Sequence, residues 1–313
     1  MTAEATIIPK SGFAPERLPA VRRARRKRSI YGWLFIGPLI LGILSCQLVP
    51  VLVSIFTSFT NWDGVTSPHF VGGANYTGLV SDPFFAITLK NTVIFTVAVI
   101  PLTIVAALFL AVLVNGKGRV INAVMRTAYF SPYVTSIVAI ALVWSQLLTP
   151  SGVLNQILGA FGVDGPSWLT DARFAMPAVI VISAWQAIGY PMVILLAGLQ
   201  NVPESVLEAA KADGANRVSR FFRITLPLLT PQLFFVLITQ VIASFQVFGL
   251  IFVMTKGGPG TATNVYIYYL YQTAFTFGDL GKAAAMAWVL FVIIGLITFV
   301  QLRLQRRWVF YND

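Results

Sequence analysis

Two groups of residues in this chain have types and spacing suited to chemistry, and neither is a catalytic set. The first is neutral. Ser183, Trp185, Gln186 and Tyr190 lie in the apolar stretch AMPAVIVISAWQAIGYPMVILLAGLQ, and Ser244, Phe245 and Gln246 lie in another with Thr239 and Gln240. Gln186 and Tyr190 are four residues apart and so share one face of a helix. Polar groups set in apolar stretches must meet one another or a wet path, because burying them unpaired is costly. Two readings stand: hydrogen bonds between helices, or a route for a solute with hydroxyls and apolar faces, such as a sugar, which amides, hydroxyls and aromatic rings suit.

The second group is a charged island, NVPESVLEAAKADGANRVSRFFRIT, residues 201–225, between two long apolar stretches. Pro203 can open a helix, and Ser205 to Glu208 has capping-box spacing, so two start signals compete. The helix should run until Gly214, the residue type that takes a left-handed turn at a helix end. A second short helix from about Asn216 to Thr225 places Val218, Phe221, Phe222 and Thr225 on one face, with Arg217, Arg220 and Arg223 off it. That face is expected to pack on the bundle, leaving the arginines for lipid phosphates or a protein partner. The island reads as a docking element or as an amphipathic connector on the membrane surface.

Both groups need a membrane to hold them. Of 313 residues, 57% are hydrophobic and only 11% charged, with mean hydropathy +0.79, too much apolar surface for one soluble core. Six runs reach the roughly 20 residues that cross hydrocarbon; they lie near 32–58, 91–114, 127–148, 174–199, 230–254 and 282–302. Continuous apolarity, without the alternation of barrel strands, predicts an all-α membrane protein with six transmembrane helices. A mid-helix charge costs roughly 2.5 to 3.5 kcal/mol on insertion scales, which assigns charged residues to loops. In the fourth run, Gly189 and Pro191 loosen the helix where the polar residues sit.

The charge distribution gives an orientation. When loops alternate sides, all of the 22 Lys and Arg except Lys90, Arg173, Lys256 and Lys282 fall on one side. The positive-inside rule makes that side cytoplasmic, with both termini and the charged island. A net charge of +11 spread over membrane loops in this way speaks for lipid headgroups and against nucleic acid. Residues 1–28 are basic and aperiodic and are expected to be a disordered cytoplasmic tail, and residues 29–313 a six-span transmembrane domain. The first apolar run is too long for a cleaved signal and is expected to remain as a span. The single cysteine, Cys46, precludes an intrachain disulfide.

Several classes are excluded. No carboxylate, lysine or histidine falls within the charge-free runs, which argues against a proton- or sodium-driven carrier. His69, the one histidine, is in a loop. There is no phosphate loop, metal-ligand cluster or pair of membrane carboxylates, so no catalytic, cofactor or metal residue is expected.

The string Glu208-Ala209-Ala210, then Gly214, then Ile224-Thr225-Leu226-Pro227, resembles the EAA signature of permease subunits in binding-protein-dependent ABC importers. FVGGANYTGLVSDPFF, AYFSPYV and MTKGGPGTAT look like the carbohydrate-uptake class of those permeases and extend the likeness over most of the chain. The resemblance implies a type I permease fold in a prokaryotic inner membrane. It also implies that residues 201–227 couple to an ATPase, with Glu208, Ala209, Ala210 and Gly214 as docking core and Asp213 and Arg217 flanking it. Leu226 and Pro227 would mark re-entry into the fifth span. The implied partners are a second permease subunit, two ATPase subunits holding ATP and Mg, and an extracytoplasmic binding protein or lipoprotein. The implied cargo is a sugar or oligosaccharide, with glycerol-3-phosphate or a glycerophosphodiester as the alternative. A secondary carrier and a membrane scaffold are the readings from other classes.

Overall fold

The computed structural model describes residues 19–116 and 118–310. Apart from one bridge between Thr60 and Phe70, the described residues are helices joined by loops and turns. The chain divides into two units, Met1–Phe56 and Thr57–Asp313.

The first unit is one helical path. α1 (Pro19–Ile43) passes through a π-helical turn at Leu44–Leu48 into α2 (Val49–Thr57). Residues 19–28, expected to be disordered, belong to α1: alanine and arginine are good helix formers and extend the apolar helix that follows. The rest of the expected tail, residues 1–18, lies outside the described residues. Side chains such as Leu34 and Phe35 are 72% and 91% exposed, as a helix surrounded by lipid requires.

The second unit is built around one helix. In chain order it holds α3 (Ala74–Val80), α4 (Pro83–Leu113), α5 (Arg119–Val134), α6 (Ile137–Leu147), α7 (Val153–Ala160), α8 (Ala172–Ala187), α9 (Gly189–Gln200) and α10 (Glu204–Ala212). There follow α11 (Arg217–Arg220), a π-helical turn at Phe221–Thr225, α12 (Leu226–Leu228), α13 (Thr230–Phe245) and α14 (Gly249–Met254). α15 (Tyr266–Tyr271), a π-helical turn at Gln272–Thr276 and α16 (Leu280–Trp308) complete it. α4 packs against α8, α9, α13 and α15. Its buried residues are Thr88, Thr92, Phe95, Thr96, Val99, Ile100, Thr103, Ala107 and Ala111. The threonines and alanines among them are small enough to let neighbouring backbones come close.

Four helical segments are long and apolar enough to cross a membrane, Tyr31–Thr57, Pro83–Leu113, Thr230–Met254 and Leu280–Trp308; two bent pairs bring the total to six if each counts as one crossing. The expected third span, 127–148, is not one helix, since its halves meet at 94°. Helix limits also differ from the charge-free runs. Asp82 accepts from the Phe84 amide at 2.9 Å with Pro83 in the first turn, and Asp279 accepts from the Lys282 amide at 2.9 Å. These caps start α4 and α16 ahead of the first uncharged residue, so Lys90 and Lys282 lie inside helices.

The arginine-poor end is tied together by polar contacts. Lys282 Nζ lies 2.8 Å from Asp82 Oδ2, with side chains 27% and 11% exposed, and the Tyr269 hydroxyl donates to the same carboxylate. Asn91 donates to the Thr261 and Asn264 carbonyls at 2.8 and 2.9 Å. Tyr266, fully buried, donates its amide to Thr92 and its hydroxyl to the Met286 carbonyl. At Gly281 a Cβ would come within 2.0 Å of the Thr60 carbonyl oxygen, so only glycine lets α16 pass under the 57–73 loop.

Burial pushes the Asp82 carboxyl up, but hydrogen bonds from Lys282, Tyr269 and the Phe84 amide outweigh it and hold the pKa below the ordinary carboxylate value. A depressed carboxylate stabilises above its unfolded pKa and loses that contribution as pH falls through the folded value. The Asp82 clamp should therefore hold at neutral pH and release only below the ordinary carboxylate range. Asp82→Asn should lower unfolding stability at neutral pH by about 2 kcal/mol, and Asp82→Asn with Lys282→Met should recover part of the loss. Thermal unfolding of the purified protein in detergent checks both; an unchanged Asp82→Asn midpoint would show the clamp to be idle.

Candidate functional site: a cavity at three helix breaks and a coupling loop

Three helices in the second unit are interrupted. α5 ends at Val134, the backbone extends through Thr135 and Ser136, and α6 leaves at 94°. α8 and α9 meet at Ile188 with a 46° bend, where Gly189 and Pro191 led one to expect weakness. α13 stops at Phe245, Gln246–Phe248 leave the helix, and α14 resumes at Gly249. Glycines permit the crossings. A Cβ on Gly189 would stand 2.9 Å from the Phe130 Cα, and one on Gly249 would stand 3.0 Å from the Ile137 side chain.

The breaks converge. A cavity of about 230 Å³ is lined by Ile137 beyond the first break, by Ser183 and Gln186 before the second, and by Gln240, Ser244, Gln246 and Phe248 around the third. Phe95 and Val99 of α4 also line it. Ser183 Oγ is buried without a hydrogen-bond partner, and Ser244 Oγ donates to the Val241 carbonyl at 3.0 Å. The side-chain amides of Gln186, Gln240 and Gln246 make no hydrogen bond to other described residues. No ionisable side chain lines the cavity. It therefore offers three amides and a hydroxyl with unmet hydrogen-bonding capacity beside two aromatic rings.

Of the residues predicted for a substrate route, the structure brings Ser183, Gln186, Ser244 and Gln246 to this cavity, and three others lie elsewhere. Trp185 packs edge-on to Trp144 at 5.6 Å, and Phe245 is 4% exposed in the core. Tyr190 stacks on Tyr133 at 5.5 Å. Gln186 and Tyr190 lie on either side of the 46° bend at Ile188, whose backbone stays right-handed helical, and of the two only Gln186 lines the cavity. Phe95, Ile137 and Phe248 were not anticipated. Phe248 carried a signal, since it and Phe252 sit four residues apart and stack at 5.1 Å.

The charged island takes the divided form expected, with changes at its ends. α10 begins at Glu204, and Pro203 occupies the cap position without a side-chain hydrogen bond, so the Ser205–Glu208 capping box does not form. The far end is a Schellman turn: the Ala215 amide donates to the Ala210 carbonyl at 3.0 Å and the Gly214 amide to Lys211 at 3.1 Å, with Gly214 at φ +80°. Asn216 caps α11 through the Ser219 amide at 2.8 Å. Glu208, Ala209, Asp213 and Arg217 are exposed, and Ala210 turns inward at 9%. Leu226 and Pro227 are half-buried in α12, where the Pro227 carbonyl accepts from Thr230 Oγ1 at 2.6 Å.

The face expected to pack on the bundle is only half realised. Phe221 and Thr225 are half-buried and Arg217 and Arg223 exposed, whereas Val218 and Phe222 are 66% and 60% exposed and Arg220 is half-buried. The π-helical turn at Phe221–Thr225 inserts an extra residue and breaks the 3.6-residue register on which that face was drawn.

The loop and cavity are joined by two helices. α9 runs from the second break to the loop, and α13 runs from the loop to the third. They meet closely at Gly198, where a Cβ would lie 2.8 Å from the side chain of Gln232 on α13.

Comparison with known proteins accords with this arrangement. The chain is 40% identical over 296 residues to the probable ABC transporter permease protein YesP of Bacillus subtilis, covering 93% of this chain and 95% of that one. It is 35% identical over 282 residues to the lactose transport system permease protein LacF of Rhizobium radiobacter, covering 88% and 94%. Its fold matches a chain in the crystal structure of a bacterial alginate ABC transporter in complex with an alginate pentasaccharide-bound periplasmic protein. That match has a TM-score of 0.78 and 23% identity, over 91% of this chain and 96% of the other. The profile of the family described as binding-protein-dependent transport system inner membrane component matches residues 100–310. That match takes in the charged island at 201–225, the helices on either side of it and every cavity-lining residue except Phe95 and Val99, and the chain belongs to this family.

Proposed function

We propose that this chain is the transmembrane permease subunit of an ATP-driven ABC importer that carries a sugar or oligosaccharide across a prokaryotic inner membrane. It crosses the membrane six times with both termini cytoplasmic, each bent helix pair counting as one crossing. A second permease subunit, two ATPase subunits holding ATP and Mg, and an extracytoplasmic binding protein or lipoprotein complete the machine. The chain itself performs no catalysis.

The observation that carries this reading is the cavity at the three helix breaks, with free neutral amides, an unpartnered hydroxyl and aromatic rings. Discontinuous helices at mid-membrane are where transporters place substrate, since irregular backbone is tolerated in hydrocarbon only where it is covered or lines a cavity. Neutral amides and a hydroxyl match the hydroxyls of a sugar, and Phe95 and Phe248 match its apolar faces. The absence of a cationic lining residue favours this cargo over glycerol-3-phosphate or a glycerophosphodiester. The lactose permease and the alginate transporter among its likenesses are sugar carriers by name.

Coupling follows from connectivity. ATP binding on the partners would draw α10 with its Glu208-Ala209-Ala210 surface, Asp213 and Arg217 lending charge at the edge. Gly214 lets α10 sit at its own angle to α11, and Leu226 and Pro227 pass the displacement into α13. At 1.5 Å per residue, α9 and α13 carry it about 20 Å to the cavity.

Two experiments test the two halves. Glu208→Arg and Gly214→Arg should each cut ATPase-subunit retention and uptake about tenfold while the permease stays folded, the second because a side chain at positive φ costs about 1 kcal/mol before any clash. Normal retention and uptake by both would sink the docking assignment. Gln186→Ala and Gln246→Ala should each raise the KM for uptake about fivefold, the factor that about 1 kcal/mol of lost hydrogen bonding gives, whereas Tyr190→Ala should leave KM nearly unchanged. Uptake kinetics indifferent to both glutamines would remove the cavity from the route.

A further inference from the structure

The coupling helix does not lie flat on the ends of the membrane helices. Behind it is a groove of about 460 Å³, walled by Val112 near the end of α4, Leu199 near the end of α9, Leu207 on α10 and Phe221 in the π-helical turn. Arg217 and Arg220 also line it, and no acidic side chain does. Three residues apart on α11, the two guanidiniums lie on one side of the helix, a like-charge arrangement that is unfavourable without an anion between them. Arg220 Nε is buried with no hydrogen-bond partner, and a buried unpaired cationic donor is costly. Val112, in the groove wall, is the penultimate residue of the candidate span Pro83–Leu113, so the groove sits at one end of an apolar helix.

We infer that this groove is a binding site for an anionic phospholipid, whose phosphate sits on Arg217 and Arg220 and whose acyl chain lies along Val112, Leu199, Leu207 and Phe221. Apolar walls and a guanidinium pair at one depth match the two ends of such a lipid, and basic pockets between membrane helices are known headgroup sites. The bound lipid would fill the space between coupling helix and bundle, so that α10 moves with α9 and α13 and not independently of them. Val218 and Phe222, which line the groove and are 66% and 60% exposed, carry its apolar surface outward to its mouth.

The assembled importer in nanodiscs tests this. In an equal mixture of phosphatidylglycerol and phosphatidylcholine its unfolding midpoint should stand about 3 °C above that in phosphatidylcholine alone, and native mass spectrometry should find phosphatidylglycerol retained. Arg220→Gln, which removes the phosphate partner, and Val112→Trp, which fills the apolar wall, should each abolish the lipid-dependent rise and the retained mass, while matching the parent in phosphatidylcholine alone. Arg220→Lys, keeping the charge without the fork, should keep part of both. The inference fails if the parent shows no rise, if the rise survives in both variants, or if inorganic phosphate added to phosphatidylcholine nanodiscs reproduces it. It fails equally if a photocrosslinker at position 220 labels a protein subunit and no lipid.

Discussion

The interrupted helices of this protein depend on one that is not interrupted. In hydrocarbon, backbone amides and carbonyls have no water to turn to, so a helix can break only where protein covers the break. α4 supplies part of that cover. It runs 31 residues without a gap, and its buried threonines and alanines admit α8, α9, α13 and α15 at close range. The threonine hydroxyls serve the same end: Thr92 accepts the Tyr266 amide while donating to the Thr88 carbonyl, so a buried polar group carries both a helix and a loop end. With larger residues at those positions, the cavity at the three breaks would lose its wall at Phe95 and Val99.

Much of this organisation is legible in the sequence, and the parts that are not have identifiable reasons. Apolar run length locates the crossings, because hydrocarbon thickness fixes it, but it does not locate helix ends. Those are set by caps at Asp82 and Asp279, which lie among charged residues that a hydropathy reading assigns to loops. The weak point at Gly189 is readable because glycine and proline announce it. The break after Phe245 is announced only by Gly249, and what makes it necessary is the approach of Ile137 from a segment a hundred residues earlier. Gly214 is readable as a turn because local backbone geometry demands it. The exposure of Val218 and Phe222 is hidden because a single π-helical turn shifts the register. Local constraints are written locally; contacts across the bundle are not.

The loop and the cavity, the two features with chemistry, are also the two ends of the same pair of helices. α9 and α13 meet where Gly198 leaves no room for a side chain, so the pair can move as a body while its ends do different work. Neutral groups gather at one end of the pair and charges at the other.

The right-angled turn between α5 and α6 has a consequence for how the protein is made. α6 has 11 residues, about 16 Å at 1.5 Å per residue, against a hydrocarbon layer of about 30 Å. Alone in lipid it can neither span nor shelter the extended backbone at Thr135 and Ser136. Its neighbour across the crossing is α14, which leaves the ribosome about a hundred residues later. A short helix of this kind reaches its final place only against its partner, so the packing of α6 should be completed when α14 arrives and not when α6 itself first meets the bilayer.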